Sequence, residues 1–202
     1  MPLDIISGVK SVKALVDLYR GAQSISNYFL MKKIEAFYEN GDFDEKLVRD
    51  LQEKSIQEWE SVQDSIMHSL THAETIVKAR YTRLLTESLL KKEIDHEIFM
   101  RFNFILQQLY SFDIPKIVEI KYKIEKNSNL CERLLTLGLT SKVNLKHHDN
   151  TLSLVNEYEI TQLGNKFIDT FLADLDSKYK NNSSQIILDI IKKPKDGVVT
   201  FF

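Results

Sequence analysis

The amino-acid sequence predicts a mainly α-helical protein with one small β-hairpin in its C-terminal half. Six glycines and three prolines in 202 residues are few, and this scarcity favours long helices over a β-sandwich or barrel. Apolar residues recur at three- and four-residue steps along most of the chain, as in amphipathic helices. The exception follows Gly138, where two alternating segments precede Thr161 and a new helix. A winged-helix domain closes in this order. We therefore expect a helical N-terminal region packed on a winged-helix-like C-terminal unit.

The composition is that of an ordinary soluble protein, with 43% hydrophobic and 28% charged residues. The net charge of −2 excludes the strongly basic balance of a protein that coats nucleic acid, but it leaves room for a local basic patch. The start of the chain lacks a secretory signal, and the longest uncharged stretches are shorter than the roughly 20 residues that span a bilayer. A single cysteine, Cys131, cannot form an internal disulfide and is expected to be buried. These features predict a cytoplasmic protein.

The helical region is expected to cover residues 1–94. Its first helix, over about residues 4–20, places valines and isoleucines on one face, and Gly21 interrupts it. A second helix is expected to end at Gly41, because glycine is the usual residue just after a helix C-terminus. Asp42 is expected to open the next helix.

The stretch 44–92 is compatible with one long helix or with two. Its apolar residues keep helical spacing throughout, which favours a single helix. Thr71 and Glu74, however, stand at the spacing of a capping box, and this predicts a break or a bend at Thr71.

The winged-helix-like domain is expected to cover residues 95–178. Asp95 begins its first helix, and Pro115 is tolerated in the first turn of the next one. The remaining predicted elements are a helix over 130–137, strands over 142–146 and 152–158, and a helix from Thr161 to about Leu175. Residues 179–202 form a polar linker and an apolar tail, which we expect to dock on the domain or to contact a partner.

The sequence carries no recognisable catalytic motif. It has no glycine-rich phosphate loop, nucleophile elbow or kinase signature. Asp64, His68 and His72 would share one face of a continuous helix, a spacing that can ligate a metal. The segment lacks the glutamate that zinc hydrolases place beside the first histidine, and the break expected at Thr71 would disturb the geometry. We therefore predict a non-enzymatic protein without metal, cofactor or small-molecule substrate.

A DNA-binding regulator is the alternative function. In a winged helix, the helix before the hairpin enters the major groove, and here that helix would cover about residues 128–137. It carries one arginine, offset by Glu132. Phosphate contacts normally supply most of the affinity, so this helix is poorly supplied with positive charge. The residues that would contact DNA in this alternative are Arg133, Lys142, Lys146 and His147.

A peripheral membrane effector is the second alternative. The first helix has an apolar face and, opposite it, the basic residues Lys10, Lys13 and Arg20, which could lie on an anionic membrane surface. Asp4 and Asp17 dilute this basic face. We therefore favour packing of the helix on other helices or on a second copy of the chain.

Three segments, 104–113, 134–139 and 158–168, give the sequence a resemblance to a known family. They resemble the C-terminal half of the bacterial abortive-infection alpha family, over roughly residues 74–172, with Ile160 where leucine is usual. The resemblance implies a role in resistance to phage and supplies no catalytic residues. The leading prediction is a non-enzymatic interaction or effector protein of phage defence that acts through protein–protein contacts, in an oligomer or with a protein partner.

Overall fold

The computed structural model of the chain describes residues 25–125, 127–144 and 156–181. It is mainly α-helical with one two-stranded antiparallel hairpin, so the predicted fold class is confirmed. The chain divides into two compact units between Ile114 and Pro115. This division lies later than the boundary predicted at residue 95.

The first unit contains five helices in its described part. They are α1 (Ile25–Phe37), α2 (Glu45–Lys54), α3 (Ile56–His72), α4 (Ile76–Leu90) and α5 (His96–Gln108). The stretch 44–92 is therefore three helices, rather than the one or two that the sequence left open.

Side-chain caps explain why the helices of this unit begin where they do. Asp44, Ser55, Thr75 and Asp95 each precede a helix and accept a hydrogen bond from a backbone N–H of its first turn. The predicted cap at Thr71 is wrong. Its hydroxyl lies inside α3 and donates to the carbonyl of Met67, and the break falls after His72.

Helix α4 is the centre of the first unit and contacts α1, α2, α3 and α5. Its buried face includes Ala79, Leu85 and Leu89, but also hydroxyl-bearing residues. Thr82 and Thr86 donate their hydroxyl protons to the carbonyls four residues earlier, so these polar groups are satisfied within their own helix. A helix with so many small side chains allows its neighbours to approach from several directions.

Helix α5 belongs to the first unit because its apolar face packs on α3 and α4. Phe99 and Phe102 are fully buried, and Ile105 and Leu106 are nearly so. Burial of a side chain of this size stabilises a fold by about 1.5–3 kcal/mol, and this explains why the compact unit extends past residue 95.

The elements of the second unit are α6 (Lys116–Lys121), α7 (Ser128–Thr136), β1 (Thr140–Asn144), β2 (Asn156–Ile160), α8 (Gln162–Phe171) and a last helix, α9, over residues 173–181. As far as α8 they follow the predicted order, but the single helix expected from Thr161 to about Leu175 is two helices, the second of which extends into the predicted linker. The strands pair with Thr140 opposite Ile160 and Asn144 opposite Asn156. The strands were predicted at 142–146 and 152–158, but the observed pairing begins at Thr140, directly after the end of α7. Residues 145–155 lie outside the described part.

Gly138 ends α7, as predicted, with a positive φ of 77°. The N–H groups of Gly138 and Leu139 donate to the carbonyls of Leu135 and Leu134, which is the pattern of a Schellman motif. The hydroxyl of Thr161 donates its proton to the carbonyl of Gly138, and the hydroxyl oxygen accepts a hydrogen bond from the N–H of Gly164. One threonine therefore ties the end of α7 to the start of α8.

Candidate functional site

Two of the four residues predicted to contact DNA lie in the described part of the chain. Arg133 is on α7 and Lys142 is on β1. Lys146 and His147 fall within residues 145–155, outside the described part. The same is true of the first helix, over about residues 4–20, and of the apolar tail, so the membrane alternative stays a prediction.

Lys142 is paired with an acidic residue of α7. Its Nζ lies 2.7 Å from Oε1 of Glu132, and Tyr158, opposite Lys142 on β2, donates its hydroxyl proton to the same oxygen at 2.5 Å. The lysine Nζ also lies 5.9 Å from the centre of the Tyr158 ring. These contacts join the hairpin to α7. They also pair the positive charge of Lys142 with a carboxylate, so a DNA phosphate would have to compete with Glu132 for it.

The pKa values of this cluster follow from its hydrogen bonds. The bond to the Glu132 carboxylate raises the pKa of Tyr158 to about 12, because loss of the phenol proton would leave two negative charges side by side. Hydrogen bonds from Lys142 and then Tyr158 lower the pKa of Glu132. The carboxylate is thus held in its charged form on the helix that would have to approach a negatively charged duplex.

Two lysines of α6 and the turn that follows it are also paired with carboxylates of the second unit. Lys121 lies 2.9 Å from Asp176, and Lys123 lies 3.5 Å from Glu157. In the structure their charges are locally compensated, which weakens the case for phosphate binding.

The histidine pair on α3 does not form a metal centre with its neighbours. The rings of His68 and His72 stack with centroids 4.1 Å apart, and Nδ1 of His72 lies 2.9 Å from the carbonyl oxygen of His68. Among the described residues, no group of three or more histidine, cysteine or acidic side chains has an arrangement that could hold a metal ion.

The described part of the first unit contains a surface groove between α3 and α5, with a volume of about 650 Å³. We call it the α3–α5 groove. It is lined from Gln57 to His68 on α3 and from Met100 to Gln107 on α5. Small-molecule sites have volumes in this range, but they are more enclosed than this open groove.

Small hydroxyl side chains of α3 form the contact beneath the groove. Ser61 and Ser65 direct their hydroxyls at Sδ of Met100, at 3.9 and 3.2 Å. The hydroxyl of Ser69 lies 2.5 Å from Oδ1 of Asn103, and Asn103 Nδ2 donates to the carbonyl of Ser65. Serines spaced by four residues bring the two helices close, and the asparagine fixes their register because its buried polar atoms are satisfied.

The lining of the groove combines negative charge on α3 with an exposed aromatic ring on α5. Glu60 and Asp64 of α3 are exposed, and within the described residues neither makes an ion pair or a side-chain hydrogen bond. Phe104 of α5 is 56% exposed, although its neighbours Asn103 and Ile105 are buried. Phe104 of α5 and the two carboxylates of α3 therefore expose apolar and negatively charged surface within one groove.

A second group of exposed aromatic residues follows α5. The rings of Tyr110 and Phe112 are stacked, with centroids 5.4 Å apart and an angle of 4° between their planes. The N–H of Ser111, between them, donates to Glu74 at 2.6 Å, which fixes this turn against the start of α4. The rings are therefore held in place while remaining more than half exposed.

Sequence reasoning missed the groove, although a signal for it was present. Ser61, Ser65 and Ser69 recur at every fourth position, on a helix whose other buried residues, apart from Gln63, are apolar. A stripe of small polar residues indicates a helix face in close contact with another helix. The identity of that other helix depends on the tertiary fold.

No helix of the described residues has both the length and the apolar character needed to cross a bilayer. The sequence matches no protein-family model, and no curated protein or solved structure is significantly similar to it. The resemblance to the abortive-infection alpha family stays a prediction.

Proposed function

We propose that this chain is a non-enzymatic interaction protein of bacterial phage defence that acts through protein–protein contacts. The observation that carries the proposal is the α3–α5 groove, which exposes Phe104 on α5 and, on α3, the carboxylates of Glu60 and Asp64, for which the described residues provide no ion pair. Aromatic and methionine side chains are enriched where proteins contact one another, and the groove offers both. The fixed rings of Tyr110 and Phe112 add a further exposed apolar surface.

The charge distribution of the second unit supports contact with protein more than contact with DNA. Residues 115–181 contain ten lysine and arginine side chains and nine acidic ones, so the unit has almost no excess of positive charge. Lys142, the lysine best placed for a phosphate, is paired with Glu132. Affinity for DNA depends on unpaired positive charge at the phosphates, and this surface offers little of it.

The phage-defence setting rests on the resemblance of residues 74–172 to the abortive-infection alpha family, and a cytoplasmic location belongs to the same proposal. A free thiol fits that location. Cys131 is buried, and burial raises the pKa of its thiol, which keeps it protonated and unreactive in a reducing compartment.

Fluorescence anisotropy of labelled duplex DNA with the purified protein tests the proposal. We expect no binding at near-physiological salt and at most weak, salt-sensitive binding at low salt. Binding that survives near-physiological salt would contradict a protein-contact function for the second unit.

A DNA-binding regulator is the second candidate, and the order α7, β1, β2, α8 with Arg133 on α7 favours it. In that case Arg133→Ala and Lys142→Ala should both weaken DNA binding and reduce its dependence on salt. Glu132→Gln should strengthen binding, because it removes the carboxylate that pairs with Lys142. Unchanged affinity in all three variants would exclude this candidate.

A further inference from the structure

The α3–α5 groove has the dimensions of a site for a third helix. Its α3 edge runs from Gln57 to His68, which at 1.5 Å per residue is about 16 Å, or three helical turns. The opposite edge, on α5, runs from Met100 to Gln107, which is about two helical turns. In helix-in-groove complexes an amphipathic helix lays its apolar face into a groove of this kind. Here Met100 and Phe104 are the apolar lining residues, and the other eight are polar.

The charges of the groove define the partner. Glu60 and Asp64 stand one turn apart on α3, and none of the described residues that line the groove is a lysine or an arginine. Neither carboxylate has an ionic partner among the described residues. The two carboxylates disfavour an anionic partner, although His68 also lines the groove, and they complement a segment with lysine or arginine at a four-residue spacing.

The apolar part of the groove supplies an anchor. Phe104 is 56% exposed and stands one turn after Met100, which is half-buried beneath the hydroxyls of Ser61 and Ser65. An exposed phenyl ring beside a flexible thioether accepts leucine-like side chains of different shapes. A partner helix would therefore need apolar residues on the face that enters the groove and basic residues along one side of that face.

We propose that the α3–α5 groove binds a basic amphipathic helix of a partner protein. The apolar residues of this helix would contact Phe104 and Met100, and its lysines or arginines would pair with Glu60 and Asp64. This inference rests on the proposed function, because it names the class of partner for a protein that acts through protein contacts.

The test uses the full-length protein and three labelled peptides of about 14 residues, which is about four helical turns. The first places leucine on one face and lysine on the other, the second replaces every lysine by glutamate, and the third scrambles the first. Binding is measured by fluorescence anisotropy at low and near-physiological salt. We expect the leucine–lysine peptide alone to bind, and its affinity to fall as salt rises.

Two sets of variants locate the binding site. The double variant Glu60→Gln/Asp64→Asn should weaken binding about 3- to 10-fold. Each exposed ion pair contributes less binding free energy than a tenfold change in affinity requires, and the variant removes two of them. Phe104→Ala should weaken it about 10-fold or more, because truncation of an aromatic anchor usually costs more than loss of a peripheral charge. Circular dichroism spectra should be unchanged, since all three side chains lie at the surface of their helices.

Matched controls change the same properties elsewhere. Glu159→Gln/Asp169→Asn removes two exposed carboxylates of the second unit, and Phe29→Ala removes an exposed phenyl ring of α1. Both controls should bind the leucine–lysine peptide like the unchanged protein. Equal weakening by the controls and by the groove variants would overturn the proposal, because the attraction would then be non-specific.

The remaining outcomes separate this inference from the function on which it rests. Equal binding of the glutamate peptide, lost in Phe104→Ala, would overturn the basic-helix inference and leave a protein-contact function standing. A lower mass of the Glu60→Gln/Asp64→Asn variant in light scattering would assign the groove to a second copy of the chain and would also overturn it. Binding of duplex DNA at near-physiological salt would instead contradict the proposed function.

Discussion

At Gly164 the start of helix α8 passes so close to the chain after α7 that there is no room for a side chain. A Cβ built at this position would lie 2.2 Å from the carbonyl oxygen of Leu139 and 2.8 Å from Cγ2 of Ile160. The first of these atoms belongs to the backbone and cannot rotate away. The hydrogen bonds of Thr161 to Gly138 and Gly164 hold the two segments at this distance.

Gly164→Ala is expected to destabilise the protein by up to about 2 kcal/mol. Alanine would favour a helix over glycine by about 1 kcal/mol, but the overpacking against Leu139 costs about 1–3 kcal/mol and forces the backbone apart. Urea unfolding followed by circular dichroism measures the difference. Gly41→Ala is the comparison, because an added Cβ there meets nothing within 4 Å and only the positive φ of 86° is unfavourable, at about 1 kcal/mol. An increase in stability of Gly164→Ala would contradict the close approach.

Arg83 has a structural function that its sequence position does not indicate. The side chain is only 6% exposed, and its Nη1 donates to the carbonyl of Gly41 at 2.7 Å and to that of Phe37 at 3.4 Å. Its Nε donates to Glu87, and the guanidinium lies 3.7 Å from the centre of the Phe43 ring. One planar group therefore caps the end of α1 and fixes the following turn on α4.

Arg83→Lys is expected to lower the free energy of unfolding by about 2–3 kcal/mol. A lysine keeps the charge but cannot reach the carbonyls, the carboxylate and the ring at once, so buried acceptors lose their partner. Arg80→Lys is the matched control on the same helix. Arg80 forms a two-pronged ion pair with Glu39 in which both side chains are about half exposed, so we expect a loss of less than about 1 kcal/mol. Equal effects of the two substitutions in urea unfolding would contradict the capping function of Arg83.

At the scale of elements, several contacts hold the hairpin on α7, and one of them, the cluster of Lys142, Glu132 and Tyr158, can be followed by titration. Tyr158 has a folded-state pKa of about 12 against an ordinary value of 10.0, because its hydroxyl is bonded to Glu132. A raised pKa in the folded state means that this bond contributes stability below the unfolded-state value, and that the contribution is lost as the pH rises from 10.0 to about 12.

An ultraviolet titration of tyrosinate absorbance should therefore contain a step near pH 12 that is absent in Tyr158→Phe. In Glu132→Gln the Tyr158 step should move down towards 10.0, because the negative charge that opposes ionisation is gone. A titration of the Glu132→Gln variant that coincides with that of the unchanged protein would show that the carboxylate does not hold the hairpin in solution.

The helices could be predicted well from the sequence because their signals are local. Gly138, Thr161 and Asp95 end or begin helices as expected, since caps act within one turn. The break falls after His72 and not at Thr71 as predicted. Threonine can cap a helix at either position, and in the structure Thr75 caps α4 while Thr71 lies inside α3. The strands were displaced for a similar reason: alternation favours several registers, and pairing from Thr140 is fixed by the end of α7.

The candidate sites depend on contacts that the sequence does not contain. Lys142 was assigned to DNA from its charge, but its partner Glu132 stands ten positions earlier and is brought near only when the hairpin folds on α7. The groove pairs Ser65 with Met100, 35 positions apart. Periodicity reports which face of a helix is inward, and it does not report which helix covers that face.

At the scale of the whole molecule, the predicted oligomer depends on segments outside the described residues. The sequence near the C-terminus is rich in isoleucine, valine and phenylalanine, and it ends in Phe201 and Phe202. Apolar side chains of this kind gain about 25 cal/mol for each Å² removed from water, which favours contact with another surface. If the helix predicted over residues 4–20 forms, it would place Val9, Val12 and Val16 on one face and offer a second such surface.

If these segments join copies of the chain, removal of residues 183–202, or of residues 1–20, should lower the number of copies per particle. Light scattering measures this number as the particle mass divided by the mass of one shortened chain. A finer variant, Phe201→Ser with Phe202→Ser, keeps the length and removes only apolar area. Its control, Lys192→Ser with Lys193→Ser, changes two lysines of the same tail and should leave the mass unchanged, because charged residues there contribute little buried area. A monomeric mass for the unchanged protein and for every variant would contradict the oligomer and leave contact with a different protein as the way in which the exposed surfaces act.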